Sequence, residues 1–90
     1  MMETYDNDDD RWRAEGRSWP FALNFRRRHE GMLHVPERCV HIYPQTPSSY
    51  PSGGMTTYRP KYAFDNRAEA VAFCLEFTGK PPVRCKTCNP

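Results

Sequence analysis

No stretch of this chain stays apolar for even half of the roughly 20 residues that a helix needs to cross a bilayer, so a helical membrane span is excluded on length. The start of the chain also lacks the basic segment and apolar core of a secretory signal, because its first ten residues hold Glu3, Asp6, Asp8, Asp9 and Asp10 and no base. A soluble, cytoplasmic protein is the expectation. There is no phosphate-cradling glycine loop, no Ser/His/Asp arrangement, no paired-carboxylate site and no internal repeat. Nothing therefore names a reaction class, and the chain is expected not to be an enzyme.

Apolar residues are scarce as well, at 38% of 90 residues, while prolines number nine. A chain this short buries a smaller fraction of its surface than a large one, and a loop-rich body with a modest core is where a structural metal or disulfides supply missing stability. Four cysteines are present for that purpose. In a reducing compartment they are expected as ligands or buried thiols instead of disulfides.

The net charge of +2 is unevenly spread: the first ten residues carry −5, which leaves +7 on the other eighty. Acidic tracts with few apolar side chains cannot bury enough surface to fold, so residues 1–15 read as a mobile acidic tail before one small domain at 16–90. In that domain Trp19, Phe21, Leu23 and Phe25 occupy alternate positions, the period of a strand with one buried face, and Pro20 marks its start or an edge. His29, Glu30 and Gly31 suggest a turn into a second strand at Met32 to Val35. Arg38 to Tyr43 is a third candidate, Gln45 to Gly54 an irregular loop, and Met55 to Tyr58 and Lys61 to Phe64 short extended pieces.

One helix is well marked. Asn66 with Glu69 forms a capping box, and Gly79 followed by Pro81 and Pro82 ends the segment. Val71, Cys74, Leu75 and Thr78 share one side, which makes Cys74 a core residue. The fold expected is α+β: a small antiparallel sheet with one helix in the C-terminal half, stapled by a structural zinc.

The chemistry lies in Cys85 and Cys88, a Cys-x-x-Cys pair whose sulfurs can chelate one ion from a tight turn. His34 and Cys39, with four residues between them, complete a tetrahedral sulfur and nitrogen set that suits Zn2+. Roughly 50 residues separate the pairs, and closing a long loop is where a crosslink restricts the unfolded chain most. His41 competes with His34, since it projects from a strand on the same side as Cys39. His29 adjoins an arginine run that repels a cation. An iron-sulfur cluster on Cys39, Cys74, Cys85 and Cys88 is a further alternative, although such cysteines usually come in a compact run.

Phe64, Glu69-Ala70, Gly79, Arg84-Cys85-Lys86-Thr87-Cys88 and Pro90 occur in the order of a known pattern. Over His34 to Pro90 the chain resembles the metal-binding domain at the N-terminus of the bacterial alkylation-response DNA methyltransferase and the small zinc proteins that share its ending, which are often phage-encoded. The resemblance implies a zinc-held fold. That family's methyl acceptor is its first ligand cysteine, and His34 stands there instead, so repair of phosphotriesters is not implied.

Two functions follow. The first is a noncatalytic zinc module of regulatory type that binds a protein partner, with Trp12, Trp19 and five tyrosines as candidate anchors. The second is nucleic-acid binding, chiefly through Arg26, Arg27, Arg28, Arg84 and Lys86, with Arg11, Arg13, Arg17, Arg38 and Lys80 in support.

Overall fold

The computed structural model describes residues 1–27, 30–39, 56 and 60–88, with the backbone alone at 26 and 27. Strands β1 (Met2–Tyr5), β2 (Phe21–Arg27), β3 (Glu30–His34), β4 (Lys61–Phe64) and β5 (Val83–Arg84) form one sheet in the order β1-β4-β2-β3-β5. All neighbours are antiparallel except β3 and β5, which run parallel. Helix α1 spans Asp9–Glu15 and α2 spans Arg67–Thr78. The α+β architecture expected from the sequence is the one found.

Period-two alternation splits the core between the two faces of the sheet. Leu23, Leu33 and Phe64 pack with Ala70 and Cys74 of α2, beside Phe21, Phe25, Tyr62 and Phe73. The intervening Ala22 and Ala63 pack with Tyr5, Trp12, Cys39, Cys85 and Cys88. Helix α2 thus covers one face, while α1 and the cysteines cover the other.

Helix α2 forms as its local signals require. The Asn66 side chain accepts a hydrogen bond from the Glu69 amide at 2.9 Å, and Gly79 takes a left-handed φ of 80° at the C-cap. Its buried side differs from the one expected, however. Ala70 and Cys74 are buried and Phe73 and Phe77 stack with 5.8 Å between centroids, but Leu75 is exposed.

The first fifteen residues are not a tail. Met2–Tyr5 pairs with β4, and Tyr5 and Trp12 are fully buried with their rings edge to face at 5.1 Å. The acidic residues are used locally: Asp9 and Asp10 sit in the first turn of α1, where the helix dipole favours anions, and Arg11 pairs with Glu3 and Asp8. Asp9 also accepts bonds from the amide and hydroxyl of buried Thr56, both at 2.6 Å. Two large anchors outweigh the charge that composition emphasises.

Three other expectations need correction. Trp19 precedes β2 instead of belonging to it, and its indole N–H donates to the Tyr5 hydroxyl at 2.8 Å, which in turn donates to Glu15 at 2.9 Å. Gly31 lies within β3 opposite Phe25, not in a turn. A Cβ there would stand 2.7 Å from the Cys74 sulfur and 2.9 Å from the Phe25 ring, so close helix packing is what requires glycine. Arg38 closes a 3-10 turn at Pro36–Arg38 and Cys39 follows it outside any strand, so the strand proposed at Arg38 to Tyr43 does not begin there; residues 40–43 lie outside the described residues, as do the loop at 45–54 and most of 55–58.

Candidate metal centre

Three short elements converge on one spot. Strand β3 ends at His34, which alternation places on the face opposite α2. The 3-10 turn at Pro36–Arg38 then reverses the chain and delivers Cys39. Strand β5 pairs Val83 with Met32 and Arg84 with Leu33, and the Cys85 amide donates to the Leu33 carbonyl at 3.1 Å, so this register carries Cys85 to the level of His34. The following turn returns Cys88 to the same place.

His34, Cys39, Cys85 and Cys88 thereby present one ligand atom each, all within 4.8 Å of one another. The His34 Nδ1 lies 3.2 Å from the Cys39 sulfur and 4.0 Å from that of Cys88, and the Cys39 and Cys85 sulfurs are 3.8 Å apart. Tetrahedral zinc, with bonds near 2.3 Å to sulfur and 2.0–2.1 Å to nitrogen, requires edges of about 3.8 Å between sulfurs and about 3.6 Å between sulfur and nitrogen. The sulfur–sulfur distance matches and the two nitrogen–sulfur distances lie about 0.4 Å to either side of that length. A disulfide needs contact near 2 Å, and all four cysteines are free.

The surroundings prepare these atoms for a cation. Asn24 Oδ1 can only accept, so the 2.8 Å contact to His34 Nε2 fixes the hydrogen there and leaves the Nδ1 lone pair aimed at the sulfurs. The Val35 amide donates to the Cys88 sulfur at 3.3 Å, and Arg38 Nε donates to the Cys88 carbonyl at 2.8 Å, holding the turn. Burial alone works to raise the Cys85 thiol, but the amides of Cys88 and Thr87 point at its sulfur and bring it below the ordinary value. For Cys88 burial prevails over the Val35 amide, and the thiol is raised. All four ligand residues are only 2–3% exposed.

One alternative falls out by position. Cys74 belongs to α2 and is buried against the opposite face of the sheet, which removes the four-cysteine cluster. His29 and His41 lie outside the described residues. Asn24 was missed by sequence reasoning, although a polar side chain alternating with Leu23 and Phe25 on a core strand was a signal of something buried to satisfy on the other face.

Arg84 and Lys86 are exposed beside the cysteine turn, Arg26 and Arg27 end β2, and Arg28 lies outside the described residues. Arg27 sits opposite Glu30, three positions along β3 from Leu33, the partner of Arg84. Arg11 and Arg13 are engaged with acidic neighbours, Arg13 with Asp10 at 3.6 Å. No helix among the described residues is long and apolar enough to cross a membrane.

Comparison of the chain with protein-family models, curated proteins and solved structures finds no match.

Proposed function

We propose that the chain is a noncatalytic zinc-binding module that holds a protein partner. The observation that carries the metal is the meeting of four buried nitrogen and sulfur atoms from sites far apart in sequence, all within 4.8 Å of one another. Three thiolates and one imidazole favour zinc over harder cations, and the resemblance of the ending to the methyltransferase's metal domain supports the same ion. A catalytic zinc keeps one position open for water or substrate. Four protein ligands, each nearly inaccessible, fill the shell and suit a structural role.

The partner reading rests on what the fold leaves outside. Trp12 and Tyr5 are spent in the core, but Leu75 and Phe77 of α2 and Val83 of β5 are large apolar residues at the surface. Large aromatic side chains dominate the energetics of protein interfaces, and Phe77 is the exposed ring among these three. Native mass spectrometry should show one zinc per chain, absent from Cys85→Ser and His34→Ala. A wild-type protein that folds without bound metal would remove the reading.

A further inference from the structure

A cleft of roughly 530 Å³ lies over β2, β3 and β5, with Asn24, Met32 and Val83 in its walls, and its lining takes in His34 and Cys85 of the candidate metal centre. Of the three sulfur donors, Cys85 lines it and Cys39 and Cys88 do not. Access thus singles out one thiol. We infer that this cleft admits a hydroperoxide to Cys85, and that oxidation there joins Cys85 to Cys39 as a disulfide and releases the ion. The inference rests on the zinc reading above and adds a redox control to the same site.

Metal ligation keeps sulfur deprotonated, and a thiolate within reach of a small oxidant is the form that reacts. Cys85 is only 3% exposed, yet a water-sized molecule fills about 30 Å³, so the cleft has room for a peroxide beside that sulfur. Amides aimed at Cys85 temper its attack without redirecting it, because this cleft reaches no other thiol. The second sulfur is already near. That of Cys39 lies 3.8 Å away, and side-chain rotation brings the pair to the roughly 2 Å of a disulfide. Cys88 competes less well, since its sulfur accepts from the Val35 amide at 3.3 Å and the donor draws charge from the attacking atom. The chemistry balances in two steps. The Cys85 thiolate attacks one peroxide oxygen; a sulfur–oxygen bond forms, the oxygen–oxygen bond breaks, and the departing oxyanion takes a proton to leave as alcohol or water. The Cys39 thiolate then attacks the Cys85 sulfur, forming the disulfide as hydroxide leaves and takes a proton to become water. Together the two sulfurs give up the two electrons that the peroxide gains. His34 and Cys88 remain, too few donors for a tetrahedral zinc shell.

The test adds hydrogen peroxide to the zinc-loaded full chain in the presence of a zinc-indicator dye. One zinc should be released per chain, with a Cys39–Cys85 pair in the digest and recovery on adding dithiothreitol and zinc. Dimedone present during oxidation should tag Cys85. Val83→Trp narrows the cleft from an exposed position and leaves the four ligands alone, so it should bind zinc and slow the release by about fivefold or more. Where that variant fails to fold, the wild-type digest still decides. Pairing of Cys85 with Cys88, dimedone on another cysteine, sulfoxide at Met32 with zinc retained, or an unchanged rate in the folded variant would overturn the assignment. The two readings fail differently. A preparation that holds no zinc before peroxide is added sinks the zinc reading and this inference with it, whereas a loaded one that keeps its ion in excess peroxide sinks this inference alone.

Discussion

Asn24 shows how one uncharged side chain can prepare a candidate metal site without belonging to its four donors. Its carbonyl oxygen holds the His34 tautomer through a 2.8 Å contact, so Asn24→Leu should leave the ring free to turn and weaken metal binding by about 10–100-fold. Asn24→Asp, which still accepts, should stay near wild type; titration with cobalt, followed by its visible spectrum, measures both. Gly31 makes a second case. A methyl group 2.7 Å from the Cys74 sulfur has no room, so Gly31→Ala should cost about 1–3 kcal/mol in urea denaturation, recovered in part by adding Cys74→Ala. The candidate ligands His34, Cys39, Cys85 and Cys88, which the structure brings together, were readable because each pair is a local, chemical pattern. Asn24 and Gly31 were not, since one serves a ring ten residues away and the other a helix more than forty residues on, and neither relation leaves a trace in the neighbouring sequence.

At the level of elements, legibility followed how locally each one is determined. Helix α2 carries its own start and stop signals, and Asn66→Ala should cost about 1 kcal/mol by losing the bond to the Glu69 amide, read from a thermal melt. Strand β2 was evident from alternation, although its entry was placed too early because Trp19 continues the period while bonding Tyr5 instead. The opposite error befell β1 and α1. Four and seven residues are too few to display a period, and the acidic composition argues for a solvated segment until β4 is available to pair with. Trp12→Ala should therefore destabilise the protein by about 3–5 kcal/mol, a loss that a mobile tail would never show, and guanidinium denaturation distinguishes the two.

For the whole molecule, metal and fold are expected to stand or fall together. Zinc requires deprotonated sulfur, so protons compete for the site as pH falls, and acid should release metal and unfold the protein in one transition. Following a zinc-indicator dye and circular dichroism side by side checks this; metal leaving well before structure is lost would contradict it. Strand β3 gives the arrangement a further meaning. Leu33 faces α2 and His34 faces the cysteines, so sliding β3 by a single position would drive the imidazole among aromatic rings and strand a leucine among sulfurs. A cation bound here would do more than add strength: it would proofread the alignment of the central strands, because only the correct pairing could capture it.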